Sequence, residues 1–169
     1  MNGILSARMR EAGMPFRLIF GVELPRLQSI ADEFPQDASL ANRLWSENIR
    51  ETRLLAIMLM PPEAFTYEAA NLWADTMATA EEAQIMAMML SPKTPYAKTT
   101  SLAWLEEGKP LPSVCACLCL RRLLVQGTTF SDEERQQIEE NTAKLLPQAN
   151  LHLKKAILAL KEVIMISEK

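Results

Sequence analysis

Few residues in this sequence have side chains suited to chemistry: His152, the alternating Cys115, Cys117 and Cys119, and the adjacent Glu81 and Glu82. A serine or cysteine nucleophile needs a base, and His152 is the single imidazole in the chain. It falls at the start of the last predicted helix, where a partly exposed position is expected. With one histidine and no CxxC pair, no metal site is expected. Cys115 and Cys119 lie one helical turn apart, a spacing that small buried cysteines in an apolar helix also give. There is no glycine-rich phosphate loop, so no nucleotide cofactor is implied, nor any other cofactor. Met58, Met60, Met86, Met88 and Met89 invite a ligand-pocket reading. Flexible core filling is the expectation for them.

The elements that must position these residues are helical. Alanine, leucine, methionine and glutamate dominate, glycine is scarce at five residues in 169, and β-branched runs are absent. Pro25 suits the first turn of a helix reaching Phe34. Asp37 caps a second through Trp45, and Ile49 to Met60 reads as a third, ended by Pro61-Pro62. Thr66 starts a helix to about Ala78, and Thr79 with Glu82 has capping-box spacing for one reaching Leu90. Thr94-Pro95 opens a helix that Gly108 stops, and Pro112 one that ends near Gly127. Ser131 with Glu134 is a second capping box, closed by Pro147. The last helix spans Asn150 to Ile166.

Start signals at Thr66, Thr94 and Ser131 suggest helix pairs repeating at intervals of roughly 30 to 40 residues. The polar Asp132 to Lys144 belongs outside, and the apolar Val114 to Leu120 belongs between neighbours. In the last helix Leu153, Ala156, Ile157, Leu160 and Ile164 form one buried stripe. Alternating outer and inner helices is what a two-layer solenoid requires, here as one all-α domain over residues 1–169.

Other classes are excluded by composition. No apolar stretch approaches the roughly 20 residues of a membrane span, and the N-terminus has no signal-peptide pattern. Cysteines so close in sequence cannot staple a fold, which agrees with a reducing compartment, so a cytoplasmic protein is expected. The net charge of −3 and a pI of about 5.3 argue mildly against nucleic acid as an obligatory partner.

Two segments carry a family signal: Gly21-Val22-Glu23-Leu24-Pro25-Arg26-Leu27-Gln28-Ser29-Ile30-Ala31, and Leu44-Trp45-Ser46-Glu47-Asn48-Ile49-Arg50-Glu51-Thr52-Arg53-Leu54-Leu55-Ala56, in which an LW segment precedes a Glu-x-Arg helix. Trp73 and Leu153-Lys154-Lys155-Ala156-Ile157 follow in order. The set resembles the HEAT-like DNA alkylation repair family, the alkylpurine DNA glycosylases, over nearly the whole chain. The resemblance implies an α-α superhelix of nine or ten short helices with a DNA-facing concave surface built from the inner helix of each pair. It also implies a carboxylate and tryptophan rings that support developing positive charge as a methylated base leaves.

This sequence departs from that pattern at every catalytic position. The family's Ser-Trp-Asp-x-x-Asp-like segment matches Thr79-Ala80-Glu81-Glu82-Ala83-Gln84, so the tryptophan position holds Ala80 and the key carboxylate position holds Gln84. A second tryptophan falls near Leu158 and Ala159, and a DNA-contacting arginine aligns with Cys115. Glu81 is the one candidate to replace the carboxylate, since Glu82 is spoken for as a capping-box partner.

The expectation is a HEAT-repeat protein of the DNA alkylation repair kind without glycosylase activity. It would bind duplex DNA or another polyanion through Arg50, Arg53, Arg121, Arg122, Lys154 and Lys155 on inner helices. The bland reading pairs Arg53 with Glu47 or Glu51 and leaves the lysines as solubilising charge. A protein-interaction scaffold and a divergent alkylpurine glycosylase are the alternatives.

Overall fold

The computed structural model describes residues 2–167, and among them the regular structure is helical. The helices are α1 (Gly3–Glu11), α2 (Leu24–Asp32), α3 (Ala38–Ser46), α4 (Arg50–Leu59), α5 (Tyr67–Asp75), α6 (Ala80–Met89), α7 (Ala97–Glu107), α8 (Pro110–Val125), α9 (Asp132–Leu145) and α10 (Leu151–Ser167). Helix α1 has no counterpart in the sequence reading, which considers that stretch only as a targeting signal. Its start is fixed by Asn2, whose side-chain oxygen accepts the Leu5 N–H at 3.1 Å.

Both expected capping boxes form. Thr79 Oγ1 accepts the Glu82 N–H at 3.3 Å while Glu82 Oε2 accepts the Ala78 and Thr79 N–H groups at 2.6 and 3.3 Å. Ser131 and Glu134 repeat the exchange at α9. Three of the boundaries that differ from expectation do so for a clear local reason. Helix α5 ends at Asp75 rather than near Ala78, where the Thr76 hydroxyl turns back to donate to the Leu72 carbonyl at 2.8 Å. Thr94 does not start α7: its hydroxyl donates to the Ser91 carbonyl at 2.8 Å and closes the preceding 3-10 turn. Helix α8 starts two residues early because Pro110 as well as Pro112 fits its first turn.

The chain divides between Thr66 and Tyr67 into two compact units. In the first, α2 and α3 pack on α4. The loop before α2 is held by one carboxylate. Glu51, 4% exposed, accepts the backbone N–H groups of Phe20, Gly21 and Val22 at 3.1, 3.0 and 3.2 Å. The Arg50 guanidinium donates to Glu51 Oε1 at 3.0 Å and to the Val22 carbonyl at 2.8 Å. Gly21 sits at φ 71°, and a Cβ there would meet the Asn2 carbonyl oxygen and, at 2.7 Å, the Ser6 nitrogen. Only glycine fits both the dihedral and the space.

In the second unit α8 is central, packing against α6, α7 and α10, with α9 laid on α7. The arrangement puts α6, α8 and α10 in one row and α7 and α9 in another, as the alternation of apolar and polar helices implies. Val114, Cys115, Ala116, Cys117, Cys119 and Leu120 are all buried. The expected stripe on α10 is buried at Leu153, Ala156, Ile157 and Leu160, and half-buried at Ile164.

Glu51 predicts a measurable pH dependence. Burial pushes its carboxyl up, but the Phe20 and Val22 amides and Arg50 outweigh that, so its pKa lies below the ordinary 4.5. Its contribution is therefore present above pH 4.5 and is lost as pH falls through the lower folded value. Glu51→Ala strands three amides and a buried guanidinium, and should lower stability at pH 7 by about 3 to 5 kcal/mol. Urea midpoints of the two proteins should converge as the pH is lowered.

Candidate functional site

The sequence between Pro110 and Leu120 contains no charged residue, and Arg121-Arg122 then ends the apolar run. Helix α8 thus lies buried for most of its length and emerges only in its last two turns. There the backbone is stopped sharply. Gly127 takes φ 85°, its N–H donates to the Leu124 carbonyl at 3.0 Å, and the Thr128 N–H donates to the Leu123 carbonyl at 2.9 Å. Those two bonds are a Schellman closure, and they leave Arg121 and Arg122 on a fixed helical turn rather than on a loop.

Facing these turns is the exposed side of α6. Gln84, Ala87 and Met88 from α6 meet Leu118, Arg121, Arg122, Val125 and Gln126 from α8 and its end, around a cleft of about 530 Å3. The floor is apolar: Met88 is 45% exposed and Val125 66% exposed. The rim carries two exposed guanidinium groups, neither of which has an acidic partner among the described residues. Among the described residues, no carboxylate and no aromatic ring lines the cleft. Cations in the last turn also suit the negative end of the α8 dipole, a purely structural reason for their placement.

Met88 departs from the expectation of core filling. Met58, Met60 and Met86 are buried, whereas Met88 turns outward into the cleft. The signal was present in the sequence: Gln84 and Met88 are one turn apart, and Leu118, Arg121, Arg122 and Val125 repeat at helical spacing on the facing element.

The six basic candidates do not form one set. Arg50 is 2% exposed and committed to Glu51 and Val22, so it holds the loop and is withdrawn from any surface. Arg53 is half-buried, with its guanidinium carbon 4.8 Å from the centre of a Trp45 ring, a cation–π contact. Arg121 and Arg122 share the cleft. Lys154 and Lys155 are exposed in the first turns of α10, outside the cleft lining.

The positions to which the resemblance assigns the family's chemistry fall as follows. Ala80 is half-buried at the first turn of α6, and Gln84 is exposed one turn on, inside the cleft. Glu81 is half-buried between them in sequence. Glu82 is fully buried as the capping partner of Thr79. Leu158 is exposed and Ala159 half-buried on α10. Trp73 is buried in the core of the second unit and presents no face to a ligand. Cys115 is also buried, its Sγ 3.8 Å from Ser91 Oγ. His152 is exposed in the first turn of α10.

The family model described as DNA alkylation repair enzyme matches residues 5–163, across both units. A solved structure is similar over 96% of this chain and 70% of its own, at a TM-score of 0.79 and 17% identity. It represents a new family of proteins related to the HEAT-like repeat DNA glycosylases, with affinity for branched DNA structures. That likeness carries the fold, a HEAT-like helical repeat. No curated protein matches the chain in sequence.

The buried thiols give a direct readout of α8 packing. Burial raises all three, pushing Cys117 up to about 12 and Cys119 to about 11. The native protein at pH 8 should therefore leave a chromogenic disulfide reagent unreacted, and denaturant should release three equivalents of thiol.

Proposed function

We propose that this chain, which belongs to the DNA alkylation repair enzyme family, binds DNA through the α6–α8 cleft and does not hydrolyse the glycosidic bond. The observation that carries the reading is Gln84. The resemblance gives it the place of the family's carboxylate, and it stands beside two guanidinium groups in a cleft lined, among the described residues, by no acid and no aromatic ring.

Base release needs negative charge or aromatic faces against a developing cation. A neutral amide next to Arg121 and Arg122 supplies neither, and positive charge there opposes the transition state. The same guanidinium groups are well suited to phosphate oxygens, which they meet bidentately. The affinity for branched DNA described for the similar structure fits a protein of this family that keeps nucleic-acid binding without base excision. Glu81 is the residue on which a divergent glycosylase would have to depend. No helix among the described residues is long and apolar enough to cross a membrane, and a cytoplasmic place suits three cysteines that stay free.

A second reading, a protein-interaction scaffold, draws on a different surface. Leu158, Met165 and Ile166 are exposed on α10, the first two lining a groove with Arg135 and Lys161. It predicts a stoichiometric partner on co-purification that the Met165→Glu variant loses.

Fluorescence anisotropy of a labelled duplex and of a branched junction at several salt concentrations tests the first reading. Affinity should fall steeply with salt, and Arg121→Ala and Arg122→Ala should each flatten the logarithmic salt slope by about one unit. Single-turnover incubation with methylated duplex should release no free purine. Release that disappears in Glu81→Gln would establish the glycosylase instead, and salt-independent or absent binding would remove DNA as the partner.

A further inference from the structure

We infer that the α6–α8 cleft takes up a single unpaired nucleobase, a purine with an adenine-like edge, while Arg121 and Arg122 hold the backbone phosphates on either side of it. This inference rests on the DNA-binding reading above and adds what the cleft recognises.

Phosphate contact alone does not account for the site. Guanidinium groups bind a backbone from any convex surface and need no enclosed space, yet here they rim a cleft of about 530 Å3. That volume lies within the range of about 300–1,000 Å3 typical of sites that enclose small molecules. Its floor is made of Ala87, Met88, Leu118 and Val125, and two of these side chains remain substantially in water. An occupant that covers them must present a flat apolar face. An occupant that satisfies the rim must carry negative charge. A nucleotide is one molecule with both properties, its base face apolar and its phosphate anionic.

Gln84 narrows the class. A carboxamide offers an acceptor and a donor side by side, and glutamine meets adenine in two bonds through N6 and N7. A carboxylate in that place has no hydrogen to donate to N7 and would repel the phosphates. Stacking against apolar side chains is an established way to receive a base taken out of its stack. A base inside a perfect duplex has both faces covered by its neighbours, so the cleft favours a base that is already unpaired, as at a bulge or branch point. Extrusion from intact duplex must first break pairing and stacking, which sets the direction of the preference.

The experiment uses the full chain and two labelled DNAs of equal length, one a perfect duplex and one with a single bulged 8-vinyladenine, a fluorescent base that keeps the N6 amino group and N7 of adenine. The bulged DNA should bind at least tenfold more tightly, and the 8-vinyladenine emission should rise several-fold as the base leaves its quenching neighbours. Gln84→Ala and Met88→Glu, both at exposed positions, should abolish the rise and bring the bulged DNA to the affinity of the duplex. Equal binding of the two DNAs by the wild-type protein, with no emission change, overturns the inference and leaves DNA binding in place. An emission rise that persists in both variants places the base elsewhere and also overturns it. Failure to bind either DNA at low salt removes this inference together with the reading it rests on.

Discussion

The burial of α8 is the constraint on which the second unit depends. A helix with no charge from Pro110 to Leu120 cannot stand at a surface, and three neighbours close over it. Its small residues, Cys115, Ala116, Cys117 and Cys119, allow α6, α7 and α10 to approach on different sides at once. Because those side chains have little freedom to lose, burying them is favourable even though each contributes modest area. The helix then surfaces at Arg121, and the Schellman closure at Gly127 ends it within two turns. The cleft beside α6 is a consequence of that geometry: a buried helix runs out of cover while its neighbour still has an exposed side.

The first unit depends on a different kind of interaction. Glu51 joins three backbone amides of one loop to the start of α4, and Arg50 neutralises it from the same helix. Such a buried pair is not a large net source of stability, but removal of either member leaves the other without compensation. It fixes the geometry of the loop, including the left-handed Gly21. The segments from Gly21 to Ala31 and from Leu44 to Ala56, which carry the clearest likeness to the family, are therefore explained by architecture. A fold marked by structural residues in this way places few demands on what its other surfaces bind.

Helix starts were legible because each is written in local chemistry. Asp37, Thr79, Glu82, Ser131 and Glu134 act within four residues of themselves, and their hydrogen bonds follow from type and spacing. Thr94 was misread for the same reason in reverse: threonine can also close a turn by donating backwards, and nothing nearby in sequence decides between the two. Burial of charge was the part that sequence could not supply. Arg50 and Arg53 look like Arg121 and Arg122 in one dimension, yet Arg50 answers a carboxylate whose other partners lie some 30 residues earlier, and Arg53 lies over Trp45. Only long-range packing separates a structural arginine from an available one.

On the proposed reading, Gln84 in the place of a carboxylate has a consequence that reaches beyond chemistry. In a site built for base excision, negative charge must sit close to a cation that exists only in the transition state, and phosphates must be held at a distance from it. A neutral amide relaxes that conflict. Guanidinium groups can then approach the same place, because no carboxylate remains for them to neutralise and no cation forms for them to oppose. On the reading proposed for this cleft, Arg121 and Arg122 beside Gln84 are the outcome of that release. A site of that kind is free to favour the ground state of a bound nucleotide over a transition state. Uniform binding of this kind is poor catalysis, but it is what a recognition site requires.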